Sequence, residues 1–164
     1  MKVKLKRITK DKEDIIISLF NCYIYEFSAM LNSNLPTNGR YFKHKHLIEP
    51  YWSESDHIPY FIEVNNEIAG FVFIRKFPED NERYDIDQFF VLKRYSRQGI
   101  GRSAFNLCVQ LYPGKWLIRV LKENKRALEF WQNSINAITN GQFNHSYKLD
   151  FETEMHFFRF TVNT

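Results

Sequence analysis

Polar and apolar residues alternate at period two through VKLKRIT (3–9), the pattern of a half-buried strand. The period then changes. Ile15, Ile16, Leu19, Phe20, Tyr23, Ile24, Phe27, Met30 and Leu31 recur at helical spacing, so residues 13–31 are expected to form an amphipathic helix with Asp11 as its N-cap. LPTNGR (35–40) ends that stripe, and the aromatic, histidine-containing residues 41–56 accommodate one short helix.

IPYFIEV (58–64) and EIAGFVFIRKF (67–77) flank Asn65-Asn66, a pair that can supply the positive φ angles of a tight hairpin turn. FPEDNE then turns the chain into a third strand, RYDIDQFFVL (83–92). Ile100, Ala104, Phe105, Cys108, Val109 and Tyr112 share one helical face over 99–112, and Pro113-Gly114 stops that helix. KWLIRVLK (115–122) reads as a strand and 124–136 as another amphipathic helix, before two last strands, FNHSYKL (143–149) and EMHFFRFTV (154–162). A strand, a crossover helix and a strand make a parallel pair. The expected fold is mixed α/β, with a mostly antiparallel sheet, one parallel pair and helices on both faces.

Composition narrows the class. The chain has 164 residues and reads as a single domain over 1–164. A chain of that length buries roughly 70% of its unfolded surface, enough for a core without staples. No apolar run of 18 residues and no N-terminal apolar segment occurs, so neither a membrane span nor a secretory signal is expected, and the cytoplasm is the default. Cys22 and Cys108 are too few for a disulfide framework and read as small buried thiols. The net charge of +4 suits an anionic ligand, but no Lys/Arg block or RNA-binding signature points to nucleic acid.

The chemistry concentrates where the third strand hands over to a helix, in SRQGIGR (96–102). The N–H groups of a helix's first turn lack internal partners and, with the helix dipole, favour a phosphate. Gly99 and Gly101 let a bulky anion approach the backbone, while Arg97 and Arg102 add positive charge. The competing reading is an ordinary glycine-containing loop with a solvated basic face. A P-loop is excluded because no Lys-Ser/Thr follows the glycine. Gly99, Gly101 and Ala104 do satisfy G-x-G-x-x-A, with Glu123 downstream. Against a dinucleotide fold, residues 93–98 interpose a polar loop and only 41 residues follow Glu123.

FFVLKRYSRQGIGRSAF (89–105) resembles motif A of the GNAT superfamily of N-acetyltransferases, and ENKRALEFW (123–131) resembles its motif B. The two motifs, with the crossover helix and strand between them, extend the resemblance over nearly the whole chain. YIYEFS (23–28) is similar to a subset of the family whose acceptors are unassigned. The resemblance implies a GNAT-like fold whose parallel pair, 85–92 and 115–122, splays apart to admit the pantetheine arm of acetyl-coenzyme A. It implies coenzyme contacts from Phe90, Val91, Ser96, Arg97, Gln98, Gly99, Ile100, Gly101, Arg102 and Asn124, with Asn124 also an N-cap. Acetyl-coenzyme A is then the co-substrate and a small-molecule or peptide primary amine the acceptor, with no metal. A degenerate domain that binds coenzyme A without efficient transfer is the rival.

Three positions bear on that rivalry. Ser96 stands where the family pattern has Arg or Gln. Gln88 occupies a position where family carboxylates tend to sit, and Trp131 stands where a Tyr often protonates the leaving thiolate; an indole N–H donates a hydrogen bond but is no proton acid at neutral pH. Asp85 and Asp87 lie on the other face of the strand, where a bulge can swing Asp87 into the cleft, or where both are merely solvated. Asp87, Gln88 and Trp131 are the catalytic candidates. Tyr23, Tyr25 and Tyr41 can line an acceptor pocket or simply fill the core. His44 and His46 form an H-x-H without a third ligand and read as a solvated loop.

Overall fold

The computed structural model describes residues 2–43, 45–150 and 152–163. Strand β1 (Val3–Arg7) precedes helix α1 (Glu13–Ser28), and the short helix α2 (Pro50–Ser53) leads into β2 (His57–Val64), β3 (Glu67–Phe77) and β4 (Asp80–Val91). Helix α3 (Ile100–Leu111) crosses to β5 (Gly114–Leu121), and α4 (Lys125–Thr139) leads to the hairpin of β6 (Phe143–Asp150) and β7 (Thr153–Val162). The strands form one sheet in the order β1-β2-β3-β4-β5-β7-β6. Among the described residues β4 and β5 are the one parallel pair, joined by the α3 crossover. Asn65 and Asn66, at φ 53° and 71°, make the tight β2–β3 turn.

Helices cover both faces. On one, Ile16, Leu19 and Phe20 of α1, with Phe42, Ile48 and Tyr51, pack on Phe61, Phe71, Phe73 and Phe90. The Phe20 ring lies 4.8 Å from that of Phe71 and 4.7 Å from that of Phe42. On the other face, Ala104, Phe105 and Cys108 of α3 and Trp131 and Ile135 of α4 pack on Val72, Ile74, Ile118 and Phe158. Each fully buried Phe contributes about 1.5–3 kcal/mol. Strand β3 is covered on both sides, so AGFVFI (69–74) is apolar throughout rather than alternating.

Some local expectations are overturned. Asp11 is not the cap of α1; it lies in a single 3-10 turn, Lys10–Lys12, its carboxylate held by the Thr9 hydroxyl. Helix α1 ends at Ser28, and the chain beyond it turns through Asn32 at φ 48°, so Met30 and Leu31 leave the stripe. Cys22 is exposed, because the buried stripe runs through Ile16, Leu19 and Phe20 and leaves it at the edge; Cys108 is buried. Residues 41–56 hold a 3-10 turn, Lys45–Leu47, besides α2. His44 lies outside the described residues.

Gly70 illustrates how tightly β3 and β4 approach near the end of β4. A Cβ there would lie 2.0 Å from the Phe90 carbonyl oxygen, a backbone atom that cannot swing aside. Gly70→Ala should therefore cost about 1–3 kcal/mol, the usual range for overpacking. Urea denaturation checks this, and an unchanged midpoint would contradict the close approach.

Candidate active site

The β4–β5 ladder is short. Arg83 pairs with Lys115, Tyr84 with Trp116 and Asp85 with Leu117, and the pairing goes no further. Past that point β4 stays bonded to β3 and β5 to β7. The strands separate, and a cavity of about 310 Å³ lies along the opening. Its walls include Ile86, Asp87, Gln88 and Phe89 of β4, Ile118 to Leu121 of β5, and Asn124, Ala127 and Trp131 of the α4 region. Tyr23 and Phe27, one helical turn apart on α1, and Met155 of β7 complete it.

A bulge sits at the centre of this wall. Phe73 pairs with Gln88 and Ile74 with Ile86, so Asp87 is the extra residue of β4. The bulge lets Asp87 and Gln88, adjacent in sequence, both line the cavity.

Asp85 and Asp87 are not solvated. The Asp85 carboxylate is fully buried and that of Asp87 largely so. Arg119 of β5 donates to Asp85 at 2.7 Å and Arg75 of β3 at 3.2 Å, so one carboxylate of β4 ties together the strands on either side. Arg75 also reaches Asp87 Oδ1 at 3.0 Å, with Arg119 at 3.5 Å. The Tyr51 hydroxyl donates to Asp87 Oδ2 at 2.9 Å. Burial pushes the Asp85 carboxyl up, Arg119 pulls it back, and the Asp87 charge and Arg75 act in opposite senses on what remains. Burial, then the charge of Asp87, pushes the Tyr51 and Tyr23 phenols above their ordinary range, so both are neutral donors.

The turn after β4 is built by its own side chains. Ser96 Oγ donates to the Lys93 carbonyl at 2.8 Å and Gln98 Nε2 to that of Arg94 at 2.6 Å. Tyr95 is buried and its hydroxyl donates to Glu67 at 2.7 Å, anchoring the turn to the β2–β3 end. Arg97 and Gly99 take left-handed φ angles of 60° and 77°. Among the described residues the N–H groups of residues 97–102 have no protein acceptor. Gly99 opens onto free space, whereas a Cβ on Gly101 would meet the Phe130 ring at 3.2 Å. Gly101 is therefore small for helix packing. Arg97 and Arg102 are exposed at the turn.

The candidates thus fall into two groups. Ser96, Arg97, Gln98, Gly99, Ile100, Gly101 and Arg102 form the turn at the start of α3, while Asp87, Gln88, Trp131 and Asn124 line the cavity. Asn124 is the cap of α4, accepting from the Ala127 N–H at 3.0 Å. Trp131 is buried among Phe89, Phe105 and Phe130. Phe90 and Val91 pair with Phe71 and Gly70 at the end of β4. Tyr23 reaches the cavity; Tyr25 points to solvent and Tyr41 lies against it. Sequence reasoning missed Tyr51, Arg75 and Arg119. The two arginines had a signal: each interrupts an apolar strand, where a charge persists only if paired. Tyr51 had none.

The sequence profile of the acetyltransferase (GNAT) family matches residues 25–135, and the chain belongs to that family. No curated protein matches it. Among similar solved structures is an acetyltransferase from Thermus thermophilus, with a TM-score of 0.73 at 14% identity over 99% of this chain and 98% of that one. The ribosomal-protein-S18-alanine N-acetyltransferase of Escherichia coli gives a TM-score of 0.66 at 10% identity over 99% and 96%. A Vibrio cholerae spermidine N-acetyltransferase in complex with CoA and spermine gives 0.67 at 12% over 98% and 95%. At these identities the likeness is one of fold. The mixed sheet with its single parallel pair is the expected GNAT architecture. Among the described residues no helix is long and apolar enough to cross a membrane.

Asp85→Asn should lower stability by about 3–5 kcal/mol, because it removes the charge that two buried guanidinium groups share. Chemical denaturation with the far-UV signal as readout checks this, and a loss below about 1 kcal/mol would mean the pairs contribute little.

Proposed function

We propose that this chain transfers the acetyl group of acetyl-coenzyme A to a primary amine by direct attack. The observation that carries the proposal is the opening between β4 and β5 beyond Asp85, a slot continued along β4 to a turn of unpartnered N–H groups. On this reading the N–H groups of Gln98 to Arg102 hold the pyrophosphate, with Arg97 and Arg102 beside it. Ser96 and Gln98 act mainly by shaping the turn. The pantetheine arm lies in the slot, against the backbone of Phe90 and Val91. Asn124 Oδ1 is taken by the helix cap, which leaves its amide N–H₂ for the arm. The Vibrio cholerae relative, crystallised with CoA and spermine, supports a coenzyme and an amine as the two ligands of this fold.

In the reaction the amine nitrogen bonds to the thioester carbon, the carbon–sulfur bond breaks, the nitrogen loses a proton and the thiolate gains one. Holding the two reactants together can supply about 7–11 kcal/mol without a proton-transfer group. Asp87 and Gln88 meet the acceptor at the bulge and orient it. Trp131 shapes the wall by packing and offers at most one N–H to the sulfur, so the thiolate takes its proton from solvent. The rival reading, coenzyme binding without efficient transfer, is favoured by one feature: both Asp87 oxygens are already engaged. Thiol release from acetyl-coenzyme A in the presence of primary amines separates the two.

The cradle is tested by a matched pair at Gly99, where there is room for a side chain and where Asn and Asp both tolerate positive φ. Gly99→Asn should retain coenzyme A affinity far better than Gly99→Asp, by more than about tenfold in calorimetry, because only the latter sets a negative charge against the phosphate. Equal affinity in the two variants would remove the cradle. For the departing thiolate, Trp131→Phe should lose less than about tenfold in kcat, short of the ~10²–10⁴ of a lost proton-transfer group. Abolished turnover with coenzyme affinity and Tm intact would make the indole chemically essential.

A further inference from the structure

We infer that the acceptor is a weakly basic primary amine with an apolar or aromatic neighbour, such as the α-amine of an amino-acid derivative or a peptide, and not a lysine-like or polyamine ammonium. The inference rests on the acetyl-transfer reading above and names the acceptor class of the same site.

The groups around Asp87 come from every element packed on it. Tyr51 of α2 donates to Oδ2, Arg75 of β3 and Arg119 of β5 reach Oδ1, and Asp85 of β4 shares both arginines. Tyr23 of α1 faces it without a hydrogen bond, and Asp150 acts on Arg119 without touching it. Within contact distance two carboxylates balance two guanidinium groups. An arriving ammonium therefore meets no excess negative charge, and burying it there would be costly. Asp87 accepts from the Tyr51 hydroxyl and from Arg119 and is ion-paired to Arg75, so both of its oxygens are already engaged.

The rest of the cavity supplies no substitute. Its other walls are Tyr23, Phe27, Phe89, Met155, Trp131, the Gln88 and Asn124 amides and aliphatic side chains, and among the described residues no imidazole lines it. Gln88 cannot accept a proton, and Tyr23 is held as the neutral phenol. With both Asp87 oxygens engaged and no second carboxylate on the cavity wall among the described residues, the amine arrives uncharged. An α-amine has an ordinary pKa of about 7.7–8.0 and a lysine amine about 10.4, so at pH 7 the neutral fraction of the former is roughly 200–400 times larger. The stronger nucleophilicity of the more basic amine offsets part of that advantage. Phe27, Met155 and the Tyr23 ring offer an apolar wall for the group attached to the amine.

The test uses the full chain and a pair of acceptors with the same ring: phenylalaninamide, an α-amine, and 2-phenylethylamine, whose ammonium is lysine-like. Acetyl-coenzyme A thiol release is followed from pH 6.5 to 9.5, with spermidine as a third acceptor. The expected result is a kcat/KM for phenylalaninamide at least tenfold above that for 2-phenylethylamine at pH 7. The latter should rise about tenfold per pH unit, closing the gap, and spermidine should be poor throughout the neutral range. In Asp87→Asn the inflection of the phenylalaninamide profile should stay at the acceptor's own pKa. Spermidine or 2-phenylethylamine equal to or better than phenylalaninamide at pH 7, or an inflection that disappears with Asp87, would overturn the acceptor class while leaving acetyl transfer standing. Acceptor-independent thiol release with all three amines would overturn acetyl transfer itself.

Discussion

The parallel ladder between β4 and β5 ends at Asp85 and Leu117, and the candidate site exists because it ends there. Two outer ladders keep the strands in one sheet while they diverge: β4 remains on β3, and β5 remains on β7. A sheet broken in this way loses hydrogen bonds at its centre and must be held from its flanks. Asp85 does part of that work at the last paired rung, since its carboxylate bonds to arginines from the strands on either side. The bulge at Asp87 comes immediately after, so the same stretch of β4 both closes the ladder and turns side chains toward the opening.

The charged cluster beneath the cavity combines stability with a chemical consequence. Two carboxylates and two guanidinium groups are largely buried, and a buried charge is tolerated only when it is paired. Pairing engages both oxygens of Asp87. The structural demand of the broken sheet thus bears on the chemistry the site can perform. Under the proposed acetyl transfer it favours an acceptor that supplies its own neutral nitrogen, with catalysis resting on position more than on proton transfer.

The turn at 96–102 separates two uses of glycine. Gly99 is needed for a left-handed backbone angle and faces open space, while Gly101 is needed because Phe130 of α4 packs against it. One residue shapes the turn; the other sets how closely α3 and α4 approach. The same G-x-G pair therefore links the turn after β4 to the core that contains Trp131.

Much of this was legible in the order of residues. Hydrophobic period located the strands and three of the four helices, because one buried face imposes a repeat of 2 or 3.6 wherever an element is long. The crossover over 99–112 required the parallel pair, and SRQGIGR with ENKRALEFW marked the family. What the linear pattern left open was set by contacts distant in sequence. The end of α1, the exposure of Cys22 and the fate of the 41–56 segment depend on what packs against each. The partners of Asp85 and Asp87 come from residues 51, 75 and 119, on three other elements. Arg75 and Arg119 announced only that some partner must exist, because a charge inside an apolar strand cannot remain unpaired. Which carboxylate each one meets, and hence whether Asp87 is free to act, is a matter of strand register and of a single bulge, which only the folded sheet decides.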